Sequence, residues 1–143
     1  MNSNKLSAKD KNILYDYLCL CEYDLKDKAG SFDLNDHELN SYLRMNRIYL
    51  GALNKSEQKK SKKYSNTILY AQRCGDKVSK DDKVHHLLRH IRNSIAHGLI
   101  KKGKGNIVSL QDKGMQGQET MQGQIDINLL YALLNQLIKT YKQ

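Results

Sequence analysis

The chain has 143 residues, 39% of them hydrophobic and 27% charged, with a formal net charge of +9. That length and balance fit one globular, soluble domain spanning residues 1–143, large enough to bury a core without staples. No apolar run approaches the ~20 residues of a membrane span, and the three cysteines, Cys19, Cys21 and Cys74, lack CxxC spacing, which argues against a disulfide framework and a zinc site.

The opening segment MNSNKLSAKDK is polar throughout and has no signal-peptide pattern. With the cysteine usage, this predicts a cytoplasmic protein. The positive charge is uneven. Residues 55–105 carry fourteen basic and four acidic side chains, a surplus of ten, whereas residues 1–54 sum to −1 and residues 106–143 balance. A basic band of this kind attracts phosphates and polyanions; the competing reading is a solvated lysine surface kept for solubility.

Taken in chain order, a first helix is expected over about 7–29. Ser7 and Asp10 make an S-x-x-D capping box, Leu14, Tyr17, Leu18, Cys21 and Leu25 recur at helical spacing, and Gly30 ends the run. A second helix is expected after Asn35, paired with Glu38 in a further box, with Leu39, Leu43, Leu50 and Leu53 as its stripe. KSEQKKSKK (55–63) reads as a loop or a solvated helical turn. After a break near Asn54, a third helix is expected through YSNTILYAQRC to Gly75. GDKVSKDD (75–82) reads as a linker that offers Asp81 or Asp82 as the next cap. A fourth helix follows over about 83–97 with Gly98 at its end, then a glycine-rich basic loop, KKGKG (101–105). The alternation in NIVSLQDK and the weaker one in ETMQGQID predict a small β-hairpin, about 106–112 with 119–126. Asp126 caps a last helix faced by Ile127, Leu130, Leu134, Leu137 and Ile138. The fold class expected is mainly α: a compact bundle of four to five helices with a small β-hairpin before the C-terminal helix.

The segment HHLLRHIRNSIAHG (85–98) holds four of the five histidines. On a helical projection Val84, Leu88, Ile91, Ile95 and Leu99 form the core face. His86, Arg89, His90, Asn93 and His97 fall on the opposite, outward side, with Arg92 at the boundary. Metal binding is one reading, because His86 and His90 stand at i,i+4; yet no glutamate lies between them as in HExxH and two arginines share the face. A structural reading suits His85 and His86, since surface histidines are common. Acid–base chemistry on a phosphodiester is the third reading. Histidine exchanges protons near neutral pH, and arginine's planar fork holds phosphate oxygens. It needs no metal and no cofactor. Arg92 and His97 lie about 140° apart on an ideal helix, so a tightened helix end or a second subunit is needed to join them. Each chain supplies one motif histidine, and a two-fold homodimer supplies the second proton-transfer group.

Arg92-Asn93-Ser94-Ile95-Ala96-His97, followed by Gly98, resembles the R-x4-6-H motif of the HEPN superfamily in its R-N-x-x-x-H form. Residues from about 84 to 140 are similar to small stand-alone bacterial HEPN proteins; the first 80 add helical pattern only. The resemblance implies a metal-independent endoribonuclease that acts as a dimer in toxin–antitoxin or phage-defence systems. Arg92 and His97 would be catalytic and Asn93 supporting, with a cognate antitoxin or nucleotidyltransferase protein as a partner. Leu99 stands where toxins paired with nucleotidyltransferases carry a tyrosine, a departure that removes the signal for that pairing. Lys59, Lys60, Lys62, Lys63, Arg89, Lys101, Lys102 and Lys104 would steer RNA to the site. The alternative within the same resemblance is a non-catalytic module that binds RNA or protein.

Overall fold

Two short apolar runs, IYLGA and NTILY, decide the architecture. The structure, a computed structural model, describes residues 6–20, 32–72 and 82–142. In chain order it contains α1 (Ala8–Leu20), α2 (His37–Met45), β1 (Ile48–Ala52), α3 (Lys55–Ser61), β2 (Asn66–Tyr70), α4 (Lys83–Ala96), β3 (Lys101–Lys102), β4 (Ile107–Lys113), β5 (Glu119–Asp126) and α5 (Ile127–Lys139). The strands form one five-stranded sheet in the order β1-β2-β5-β4-β3.

The chain is therefore α+β, which overturns the expectation of a mainly helical bundle with only a small hairpin. The hairpin is present, with Ser109 opposite Gln124 and Leu110 opposite Gly123, but it is the middle of a larger mixed sheet. β1 and β2 run parallel, Ile48 paired with Asn66 and Ala52 with Tyr70. Residues 53–65 between them make the crossover a parallel pair needs. The segment expected as a third helix contains β2 instead, and the expected second-helix stripe divides: Leu39 and Leu43 stay in α2, Leu50 falls in β1. Short apolar runs carry no period that separates strand from buried helix, and a parallel strand covered on both faces reads as a continuous apolar stretch. Leu69, 3% exposed, is buried on the sheet face away from the main core cluster.

The helix starts follow the side-chain chemistry closely. The Asp10 N–H donates to Ser7 Oγ at 3.1 Å, and the Leu39 N–H to Asp36 Oδ2 at 3.0 Å, so Asp36 rather than Asn35 caps α2. Asn54 caps α3 through the Glu57 N–H. Asp82 caps α4 through the His85 N–H, and Asp126 caps α5. Each such cap contributes about 1 kcal/mol. The extension of the first helix to 29, the Gly30 cap, Cys21, Cys74, the linker 75–81 and Asp81 lie outside the described residues. No helix among the described residues is long and apolar enough to cross a membrane.

The core lies between the sheet and the helices on one side of it. Ile68 and Tyr70 of β2, Val108 and Leu110 of β4, and Met121 and Ile125 of β5 belong to one buried cluster. Leu87 and Ile91 of α4 and Leu130, Leu133 and Leu137 of α5 join them there. Gly123 of β5 pairs with Ile68 of β2. A Cβ at that position would press on the Thr67 carbonyl oxygen and lie 3.0 Å from Ile68 Cα, backbone atoms that cannot swing aside. Gly123→Ala should therefore lower stability by about 1–3 kcal/mol, the usual cost of overpacking, as read from urea unfolding. An unchanged midpoint would mean that the central strands have slack to absorb a methyl group.

Candidate active site

α4 places the segment 85–98 in two different environments. The helix packs on β4 and on α1 and α5, so both its sides are covered for most of its length. His86 and His90 are buried, 1% and 2% exposed, although the helical projection set them on an outward stripe. The helix is exposed at its first residue, Lys83, and at its far end, where Ala96, His97 and Gly98 are exposed. Arg89, Arg92 and Asn93 are half-buried.

That end is closed by a defined motif. The Gly98 N–H donates to the Ile95 carbonyl at 3.2 Å and the Leu99 N–H to the Ser94 carbonyl at 2.8 Å, the paired bonds of a Schellman cap. Gly98 takes φ +66°, the left-handed region that favours glycine. His97 is the C-cap residue, at φ −98° and ψ 8°, and its N–H reaches the Asn93 carbonyl at 3.0 Å. The backbone thus holds His97 at the point where the chain leaves the helix, with its N–H still in the helical i→i−4 pattern.

Arg92 and Asn93 belong to a run of hydrogen bonds leading inward. Arg92 Nη1 donates to Asn93 Oδ1 at 2.9 Å. Asn93 Nδ2 donates to Asp112 Oδ2 at 3.3 Å. The His90 ring lies between two acceptors, with Nδ1 2.8 Å from Asp112 Oδ2 and Nε2 2.9 Å from the Ala71 carbonyl. The Lys113 N–H supplies Asp112 Oδ1 at 2.9 Å. A carbonyl only accepts, and a carboxylate that already receives N–H groups does the same. The state that satisfies every partner is an imidazolium against a carboxylate. Burial pushes the Asp112 carboxyl up, but hydrogen bonds from His90 and Asn93, the His90 charge and the Lys113 N–H outweigh it and hold the carboxyl below its ordinary 3.8. Tyr70 packs edge-on against the His90 ring, centroids 6.1 Å apart.

These bonds bear on the metal reading of His86 and His90. Both nitrogens of His90 are taken up by protein acceptors, and no group of three or more donors suited to a metal ion occurs among the described residues. His85 lies near the Asp82 cap, 4.0 Å from its carboxylate, and packs edge-on against Phe32. Burial lowers its pKa, a fall that Asp82 opposes and Arg89 reinforces.

Asp112 is the residue that motif reading missed. A signal for it exists: in β4 the buried positions alternate as Val108, Leu110, Asp112, so a carboxylate stands in the phase where a side chain meets the core.

The basic residues divide among several places. Lys59 and Lys60 lie exposed in the last turn of α3, Lys60 Nζ 3.7 Å from Glu57. Lys62 and Lys63 follow that helix, and Lys104 lies in the turn between β3 and β4. All three line one cleft of about 540 Å³, together with Tyr64, Ser109 and Gln124. Two segments some forty residues apart therefore converge on the sheet face opposite the core. Lys101 and Lys102 form the short edge strand β3, which begins four residues after His97. A second cavity, about 680 Å³, flanks the end of α4. It is lined by Leu14, Tyr15, Leu18, Ile95, Ala96 and Gly98 among others.

The linkage of the inner pair to pH has a definite sign. A carboxyl whose folded pKa is depressed adds stability above its unfolded pKa and loses it as pH falls through the folded one. Asp112→Ala, which strands a buried imidazolium, should cost about 3–5 kcal/mol at pH 7. The gap from wild type should narrow below about pH 3.8, where wild type loses the pair as well. Urea unfolding between pH 2.5 and 7 measures this, and a gap constant across that range would show that the pair carries no charge.

Comparison with known proteins follows the same residues. No curated protein and no solved structure matches the chain. The family described as HEPN pEK499 p136 matches residues 8–143, nearly the whole chain and not only the stretch with the motif. With the RNxxxH residues at the capped end of α4, this chain belongs to that HEPN family.

Proposed function

We propose that this protein is a metal-independent endoribonuclease of HEPN type, with His97, Arg92 and Asn93 as its working residues. The observation that carries the reading is the exposed His97 held at a Schellman cap, one turn beyond the bonded Arg92–Asn93 pair. The RNA's own 2′-hydroxyl attacks the adjacent phosphorus. His97 takes the hydroxyl proton, and the bond to the 5′-oxygen breaks as that oxygen gains a proton from the second acid. The products are a 2′,3′-cyclic phosphate and a 5′-hydroxyl. Arg92 offsets the charge that builds on the phosphoryl oxygens, the kind of pre-set electrostatic help that weighs most in such sites.

A homodimer supplies the second acid as His97 of the partner subunit. Support for that assembly comes from the apolar cavity beside Ala96 and Gly98 and from Tyr15 at its rim, 63% exposed. A role as a toxin or phage-defence effector, with or without a cognate antitoxin, is part of the same proposal. The rival, a HEPN module that binds RNA or protein without cutting, predicts binding and no turnover.

His97→Ala should lower cleavage by about 10²–10⁴-fold, the usual loss for a general acid or base. It should shift stability by no more than about 0.5 kcal/mol, because the side chain is exposed. Arg92→Ala should also lower cleavage strongly. Wild-type cleavage should persist in excess EDTA and leave cyclic phosphate ends. Wild type that binds RNA without cutting it, with His97→Ala binding equally well, would favour the module.

The lysine cleft has its own test. Changing Lys62, Lys63 and Lys104 to Glu should weaken single-stranded RNA binding. It should also reduce the slope of log K against log salt by about 0.7 for each phosphate that is no longer neutralised. All three are exposed, so the fold should survive. An unaltered slope would leave the cleft a solvated surface.

A further inference from the structure

The proposed cleavage needs Arg92 aimed before substrate arrives. A guanidinium on a long stem loses rotamer freedom when it is held, and a placement error of about 1 Å can cost on the order of 10²-fold in rate. In this structure Arg92 does not choose its direction alone, since its Nη1 meets Asn93 Oδ1 at 2.9 Å.

Asn93 can do this only if its amide points one way. An amide flipped by 180° would turn its NH₂ toward a guanidinium that has no acceptor, and the contact would become repulsive. Orientation of a side-chain amide is decided by its bonding partners, and here the deciding partner is Asp112. Its carboxylate accepts and cannot donate, so Asn93 must offer Nδ2 inward, at 3.3 Å, and Oδ1 outward to Arg92. The order donor–acceptor, donor–acceptor runs without ambiguity from guanidinium to amide to carboxylate.

Asp112 is in turn fixed. It is 2% exposed on β4, His90 Nδ1 holds Oδ2 at 2.8 Å, and the Lys113 N–H holds Oδ1. The pairing of β4 with β5 shifts register just there, between Asp112 and Lys113, and bulges of this kind re-aim a side chain. His90 is anchored on its far side by the Ala71 carbonyl, at the residue just after β2. A strand end, a bulge and a helix thus meet around one carboxylate.

We propose that Asp112, held by His90, is a positioning residue of this site: it sets the Asn93 amide and through it the direction of the Arg92 guanidinium. The inference rests on the ribonuclease reading for its catalytic meaning. Its geometry can be tested without activity.

The kinetic arm uses Asp112→Asn, close in shape and free to offer either an oxygen or an NH₂ to Asn93. The expected result is a kcat lower by roughly tenfold to a hundredfold with KM little changed. Arg92 keeps its charge and still attracts the phosphate, but it no longer meets the transition state in the set direction. In an Asn93→Ala background the same Asp112→Asn change should lower kcat hardly further, because the link is already cut. A purely structural Asp112 would cost the same in both backgrounds. Equal costs, or a folded Asp112→Asn protein with wild-type kcat, would overturn the proposal and leave the ribonuclease reading standing.

The second arm uses wild-type protein alone and holds even if Asp112→Asn fails to fold. Nitrogen NMR should show both His90 ring nitrogens protonated at neutral pH. The Asn93 side-chain amide should give a single, exchange-protected pair of proton signals. A neutral His90, or an Asn93 amide that exchanges as freely as one in solvent, would overturn the positioning role whatever the enzyme assay gives. Wild type that cuts no RNA yet passes the NMR arm would instead remove the ribonuclease reading.

Discussion

A charged pair with almost no solvent contact, His90 against Asp112, sits where α4, β4 and the end of β2 meet. Isolated, either charge would be expensive in that place. Together, and with Asn93, Lys113 and Ala71 supplying the remaining bonds, they offset much of each other's desolvation. Such a pair adds little net stability compared with well-packed apolar residues. What it imposes is register: α4 can lie on β4 in only the position that brings His90 to Asp112. The strand must then present Asp112 in phase with Val108 and Leu110. The placement of Arg92, Asn93 and His97 follows from that one alignment, because all three ride on the same helix.

The motif and its surroundings are fixed by opposite devices. Inward, Arg92 and Asn93 are held by side-chain bonds that end on a buried ion pair. Outward, His97 is held by backbone bonds, through the Schellman cap and the left-handed Gly98. The ring of His97 is left in solvent, while Arg92 is tied to Asn93. This division fits the proposed acid–base role, in which His97 would exchange a proton from solvent and Arg92 would stay anchored.

Much of the second half of the chain was legible in the sequence. The hairpin, the Asp82 and Asp126 caps and the end of α4 at His97–Gly98 lie where the residue pattern put them, because capping residues, alternation and a terminal glycine are local signals. The family assignment was carried by RNxxxH at a helix end, a feature six residues long. What was not legible was tertiary. IYLGA and NTILY pair with each other across thirteen intervening residues, and nothing in either run records its partner. The same cause hid the fate of the histidines. A helical projection assigns one inward face, but α4 has β4 on one side and α1 and α5 on others, so part of a stripe that looks solvated is buried. His86 and His90 look like surface residues until the sheet that covers them is known.

The lysines show how a sheet can join what the sequence separates. Lys62 and Lys63 leave α3 on the way into β2, and Lys104 turns from β3 into β4, so the two groups approach β5 from opposite sides. The ladder of β2, β5 and β4 spans the gap and lays Ser109 and Gln124 between them. The basic surplus of residues 55–105 is therefore not one continuous stripe along a helix. Part of it, Lys62 and Lys63 from one segment and Lys104 from another, is brought to a common cleft, with Tyr64 at its wall and a polar sheet surface as its floor. A phosphate backbone crossing that floor meets cations at both margins, a more directional arrangement than a lysine-rich tail could give. The same antiparallel pairing carries Asp112 to α4, so under the proposed function the RNA path and the phosphate-holding arm would share one scaffold.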